Sequence, residues 1–287
     1  MSTLSYSQSL LQFLSIDPIL IEIGPIIIHW YGISYMFGIL LGWFFARQVV
    51  SRSSLWSPVG APFTQIDLDD FMIWAIIGII VGGRLGYVLF YNFGYYLMNP
   101  LDIFAIWCGG MSFHGGALAS LLSMILFSRQ RSFSPFSLFD IMAVSSCFGL
   151  FFGRLANFIN SELWGRPSDV SWSFIFSTGG PVARHPSQLY EAGLEGVVLF
   201  IILSILIFKF KKLVMPGFIS GAWGVGYSTA RIFIEFFREP DAHIGYLAGG
   251  WITMGMILSF PMIPLGIWGM MSAKSRVVWH DRQNIVL

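Results

Sequence analysis

Apolar residues run along this chain in long blocks separated by short polar stretches. Seven blocks reach or approach the roughly 20 residues a bilayer-spanning helix needs: residues 27–47, 69–91, 113–129, 139–159, 187–209, 214–237 and 247–272. Each is predicted to be a transmembrane helix. An earlier apolar stretch, residues 10–23, is broken by Asp17 and Pro18 and reads as an interfacial helix. The expected fold class is an all-α integral membrane protein, a single domain over residues 1–287, with residues 160–186 as a short cap outside the bilayer.

Composition supports the bilayer as solvent. Only 11% of the residues are charged and 55% are hydrophobic, against about 25% charged in ordinary soluble domains. The net charge of +1 gives no attraction to nucleic acid. Cys108 and Cys147 have neither disulfide-framework nor metal-ligand spacing and read as apolar filler. The N-terminus lacks the basic start of a cleavable signal peptide.

Basic residues set the orientation. Arg47, Arg52, Arg129, Arg131, Lys209, Lys211, Lys212, Lys274, Arg276 and Arg282 all follow odd-numbered spans. That side is expected to be cytoplasmic, which places the C-terminus there and the N-terminus outside. These ten charges need no other explanation. Arg84, Arg154 and Arg231 do, because they lie within spans. An intramembrane arginine costs about 2.5–3.5 kcal/mol near a helix centre and marks either a site or a buried ion pair.

The polar residues gather at the outer ends of the spans. Arg154, Asn157 and Ser161 are spaced i, i+3, i+7, and Arg231, Glu235 and Arg238 i, i+4, i+7, so each set shares a helical face. The fifth span opens with His185, Gln188 and Glu191, and the third with His114 beside Gly115 and Gly116. Two guanidiniums suit a phosphate, and near a lipid headgroup region that phosphate would belong to a lipid. Glu235 either reacts or holds an arginine in place. Glu195, deeper in the fifth span, is either protonated or paired with Arg84. His114 is either a structural residue or a general base. Trp30 and Tyr31 either anchor the interface or line a site. The glycines around Gly82 and Gly221 read as close helix packing.

The string Gly153-Arg154-Leu155-Ala156-Asn157-Phe158-Ile159-Asn160-Ser161-Glu162-Leu163-Trp164-Gly165 resembles the signature of the bacterial prolipoprotein diacylglyceryl transferases. Further matches follow in order: His29-Trp30-Tyr31-Gly32, Gly83-Arg84-Leu85-Gly86-Tyr87, Gly110-Met111-Ser112-Phe113-His114-Gly115-Gly116, Arg184-His185-Pro186-Ser187-Gln188-Leu189-Tyr190-Glu191, and the run from Arg231 to Asp241. Ala156 and Ser161 stand where many members carry glycine, and residues 166–184 form a shorter outward segment. The resemblance implies a seven-helix protein of the bacterial inner membrane with a site open to the periplasm. It implies phosphatidylglycerol as lipid donor and the lipobox cysteine at a prolipoprotein signal-peptide junction as acceptor. The product released is glycerol 1-phosphate. Arg154 and Arg231 are implied to bind phosphate, with Asn157, Glu162, Tyr31, Glu235 and His114 lining the site and Glu191 and Arg238 alongside. No cofactor and no metal are expected. The alternative is a lipid or anion transporter with an arginine-lined cavity, although the internal symmetry expected of one is not visible. Neither HExxH nor GxSxG occurs, which argues against an intramembrane protease.

Overall fold

The computed structural model describes residues 19–23, 26–56, 60–240, 245–247 and 249–283. They are mostly helical. Two short antiparallel strands come first, β1 (Ile19–Ile23) and β2 (Ile26–His29), paired from Ile19↔His29 to Ile23↔Ile26. Seven segments of helix of 18 residues or more, two of them broken or widened, then follow: α1 (Trp30–Val50), α2 (Gln65–Phe90), α4 (Phe113–Gln130), α5 (Pro135–Ile159), α6 (Ser187–Phe208), α7 (Phe218–Glu235), and a last segment. That last segment is α8 (Met254–Ser259) continued by α9 (Met262–Gln283). A short helix, α3 (Phe93–Met98), lies between α2 and α4.

Two expectations are corrected. The part of the interfacial stretch that is described forms strand β1, not helix; its other residues, 10–18, lie outside the described set. Isoleucine dominates both strands, and a β-branched side chain gives up less freedom in a strand than in a helix. The first helix accordingly starts at Trp30 instead of residue 27. The described residues are thus mostly helical, as the all-α expectation has it, with one short hairpin before the first helix.

Among the described residues, five helical segments are long and apolar enough to cross a membrane: α1, α2, α5, α6, and Met254–Val277. Their outward positions carry large apolar side chains, such as Phe37 and Phe44 on α1, Ile73 and Ile77 on α2, and Ile201 and Ile205 on α6, all exposed. Such a surface suits hydrocarbon and not water. The 18-residue helices α4 and α7 are richer in glycine, serine and charge and fall outside that set.

The described chain divides into two compact units: Arg47–Phe139, and Met1–Ala46 with Asp140–Leu287. In the first, α2 is started by a capping box in which Thr64 and Asp67 each receive the other's backbone N–H. A row of small residues then lets α2 meet α4. A Cβ added at Gly86 would lie 2.8 Å from Gly115 Cα, and one at Gly82 would lie 2.6 Å from Gly115 O. Arg84 is held in this unit by five backbone carbonyls, including Ile103 at 2.8 Å and Ala105 at 3.2 Å. Its guanidinium is spent on folding the 102–110 loop.

In the second unit the same device recurs. A Cβ at Gly38 would meet Gly149 Cα at 3.0 Å, and one at Gly221 would meet Gly266 O at 2.6 Å. Asp140, fully buried on α5, accepts from Gly217 N at 2.8 Å, Ser220 N at 2.7 Å and Ser220 Oγ at 2.8 Å. It thereby supplies partners for N–H groups that the start of α7 would otherwise leave unmet. α5 and α7 are locked together at one end, which fixes the register of the arginines near their other ends.

Gly115→Ala is expected to destabilise the protein by about 1–3 kcal/mol, because its Cβ would press on Gly86 Cα at 2.9 Å. Gly116→Ala, with nothing nearer than 3.6 Å, is expected to be neutral or mildly stabilising. Thermal unfolding midpoints in detergent distinguish the two.

Candidate active site

The C-terminal end of α5 brings in the first cationic side chain. Arg154 and Asn157 lie one turn apart, and the helix stops at Ile159. The chain then reverses through two left-handed residues, Ser161 (φ 56°) and Leu163 (φ 58°). Ser161 is therefore buried beyond the helix end and does not share its face, as the i+7 spacing had suggested. The reversal carries Glu162 back along α5. Its Oε1 accepts from Asn157 Nδ2 at 2.8 Å, and its backbone N–H donates to Asn157 O at 3.0 Å. The left-handed conformation at Ser161 is one that glycine adopts without cost and serine does not.

The first turn of α6 is bound to this reversal. Ser187 Oγ donates to Leu163 O at 3.0 Å and Gln188 Nε2 to Glu162 O at 2.7 Å, both side chains fully buried. Next comes Glu191, and after it the helix widens into a π segment over Ala192–Val198. Wider turns of this kind are rare and often sit at functional sites. Gly196 in that segment rests on α5, where a Cβ would lie 2.7 Å from Phe151 Cβ.

Glu191 is the centre of the arrangement. It is 0% exposed, and three guanidiniums reach it. Arg154 Nε lies 3.1 Å from one oxygen, and Arg238 Nη1 lies 3.1 Å from the other, which also pairs with Arg231. Arg231 is paired on its far side with Glu235 at 2.5 Å, four residues along α7. Glu235 in turn accepts from Thr253 Oγ1 at 2.7 Å. Glu195, equally buried, lies 3.8 Å from Arg154 Nη2. Three arginines thus face three glutamates. Burial of any one of these charges alone would cost several kcal/mol, and mutual pairing offsets it.

The arginine side chains keep more access to the outside than the glutamates they pair with. Side-chain exposure is 17% for Arg154 and 12% for Arg231, against 0% for Glu191. Arg154 also has donors to spare: Nη1 and Nη2 make only long contacts, to Asn157 Oδ1 at 3.5 Å and Glu195 at 3.8 Å. An anion entering here meets prepositioned N–H groups in a poorly hydrated setting, where they act most strongly.

Residues 160–186 close over the end of α7. Arg166 N donates to Phe237 O and Gly165 N to His185 O, both at 2.9 Å. The Arg166 guanidinium donates to Glu235 O and Arg238 O, each at 3.0 Å. A cation on the last carbonyls of a helix is favourable twice over, as hydrogen bonds and against the helix dipole. Arg184 lies 4.0 Å over the Trp164 ring and 3.3 Å from Glu239. His185 Nδ1 sits 3.1 Å from the Tyr190 hydroxyl. Burial holds its imidazole below the ordinary histidine value, with Asp169 opposing.

Of the residues expected at the site, Arg154, Asn157, Glu162, Glu191, Arg231, Glu235 and Arg238 therefore form one connected network. Tyr31 is at the start of α1, its hydroxyl 3.1 Å from that of Tyr35, within electrostatic range of Glu162 and Arg154. His114 belongs to the other unit, as the exposed second residue of α4, edge-on to Phe113. Sequence reasoning missed Thr253 and the role of Arg166; it left Glu195 either protonated or paired with Arg84, and the structure sets it 3.8 Å from Arg154 Nη2. Arg166 stands next to the signature string, which is a usable signal; Thr253 carries none.

A model of the prolipoprotein diacylglyceryl transferase family matches residues 18–272. The chain belongs to that family. It is 53% identical over 275 residues to a relative from Rhizobium meliloti (strain 1021), covering 96% of this chain and 98% of the relative. A relative from Agrobacterium fabrum (strain C58 / ATCC 33970) is 54% identical over 267 residues, covering 93% and 95%. One from Brucella canis (strain ATCC 23365 / NCTC 10854 / RM-666) is 55% identical over 266 residues, with the same coverage. All three are named phosphatidylglycerol–prolipoprotein diacylglyceryl transferase. The signature string, α5 and the whole arginine–glutamate network fall inside the part matched by the family.

Glu191→Gln is expected to lower stability by roughly 3–5 kcal/mol, because it removes the carboxylate from three buried partners. Glu239→Gln, at a half-exposed pair with Arg184, is expected to change it by less than about 1 kcal/mol. Unfolding midpoints in detergent at one pH give the comparison.

Proposed function

We propose that this protein transfers the diacylglyceryl group of phosphatidylglycerol to the lipobox cysteine thiol of a prolipoprotein and releases glycerol 1-phosphate. The observation that carries the reading is the convergence of Arg154, Arg231 and Arg238 on one buried carboxylate, with Arg154 Nη1 and Nη2 making only long contacts and so able to receive a phosphate. Family membership and the names of the relatives point to the same chemistry.

The reading places the protein in the bacterial inner membrane. Seven spans cross it: α1, α2, α4, α5, α6, α7, and α8 with α9. The N-terminus is periplasmic and the C-terminus cytoplasmic, which accords with the ten basic residues assigned to one side. Residues 160–186 are then a periplasmic cap within a single transmembrane domain. The end of α5, the start of α6 and the end of α7 lie near the outer leaflet, where a lipid headgroup is found.

In the reaction the cysteine sulfur attacks glyceryl C3. A C–S bond forms as the bond from C3 to the phosphate oxygen breaks, and that oxygen keeps the electron pair. Arg154 and Arg231 donate to the phosphate and neutralise the growing charge, with Arg238 completing the clamp. The thiol proton must leave, and guanidiniums that lower the thiol pKa let it pass to the departing phosphate without a separate base. Asn157 and Glu162 brace Arg154, Glu235 and Glu191 brace Arg231, and Tyr31 lines the approach.

The test uses purified protein, phosphatidylglycerol labelled in the headgroup glycerol, and a lipobox peptide. Labelled glycerol phosphate is expected to appear with the cysteine peptide and not with its Cys→Ser counterpart. Arg154→Lys is expected to lower kcat/KM by about 100-fold or more, because an ammonium cannot reproduce the forked contact. Full activity in that variant would refute the phosphate clamp, and release without a cysteine would refute the acceptor.

A further inference from the structure

We propose that Thr253 and Gly255, at the entry to the last helical segment, are positioning residues that set the Arg231 guanidinium for phosphate binding by holding Glu235. This rests on the function proposed above and assigns a role to a stretch that none of the family-like motifs contains.

Two independent features converge there. The first is a hydrogen bond whose direction is fixed. Thr253 is 3% exposed, and its hydroxyl accepts from Met256 N at 3.3 Å, capping α8. The hydroxyl has one proton, and that proton is directed to Glu235 Oε2 at 2.7 Å. Glu235 must therefore accept at Oε2, which leaves Oε1 to hold Arg231 at 2.5 Å. The second feature is close backbone approach. A Cβ at Gly255 would lie 2.8 Å from Glu235 Cδ and 3.2 Å from Arg231 Nη2. No other residue type fits there without moving the ion pair. The turn is thus a cradle: glycine gives the pair room, and the threonine hydroxyl fixes its rotation. Arg231 takes its position from α7 on one side and from this turn on the other, so its free N–H groups keep one direction.

The assay above tests the proposal, with KM measured separately for phosphatidylglycerol and for the lipobox peptide. Thr253→Val keeps the shape and removes the donor. It is expected to raise KM for phosphatidylglycerol about tenfold or more and leave KM for the peptide within about twofold. Thr253→Ser, which keeps the hydroxyl, is expected to stay near the wild-type values, and Gly255→Ala to behave like Thr253→Val. In an Arg231→Lys background, Thr253→Val is expected to add less than about twofold, since the two act through one contact. Equal rises in both KM values, or full additivity with Arg231→Lys, would overturn the positioning role. Thermal midpoints of Thr253→Val, Glu235→Gln and the double variant report the contact without any reaction. If those midpoints are non-additive but the wild-type protein transfers nothing, the functional reading fails and takes this role with it. If they are additive while transfer proceeds, the cradle alone is refuted.

Discussion

Burying a guanidinium is costly unless a carboxylate meets it, and here three of them end on the same one. Glu191 receives Arg154 from α5, Arg231 from α7, and Arg238 from the turn that follows α7. Much of the surrounding structure follows from keeping those partners in reach. Asp140 pins the start of α7 to α5 at one end, and Arg166 satisfies the carbonyls at its other end. The reversal at Ser161 and Leu163 returns Glu162 to Asn157, and Gln188 ties α6 to that reversal. A charge network of this kind gains little stability over an apolar core. It offers instead a set of N–H donors whose position is fixed before a substrate arrives, which is the condition for strong electrostatic stabilisation of a developing anion.

Away from this network the helices rely on small residues. The contacts of Gly82 and Gly86 with Gly115 in one unit, and of Gly38 with Gly149 and Gly221 with Gly266 in the other, bring backbones close without polar side chains. In a bilayer no hydrophobic force drives helices together, so close packing must carry association. Large apolar residues are left on the outside, where hydrocarbon can cover them.

Much of this was legible in the sequence, because two physical signals were strong. Apolar block length places six of the seven expected helical segments to within a few residues, and helical spacing puts Arg231 and Glu235 on one face. The failures were local. Hydropathy does not separate an isoleucine-rich strand from an interfacial helix, so β1 was read as helix. Spacing arguments assume the helix continues, and α5 stops at Ile159 before Ser161. The role of Arg84 stayed open between a site and a buried ion pair, because backbone carbonyls can satisfy a guanidinium and leave no trace in the sequence. Thr253 was invisible for a related reason: its partner is 18 residues away, and only the fold brings them together.

The central claim is that the guanidiniums around Glu191 are where the lipid phosphate binds. A structure of the protein with a short-chain phosphatidylglycerol bound tests it most directly. The account predicts phosphate oxygens about 2.7–2.9 Å from guanidinium nitrogens of both Arg154 and Arg231. A phosphate held elsewhere, with the Arg154–Glu191–Arg231 contacts unchanged, would contradict it and leave the cluster as a purely structural knot.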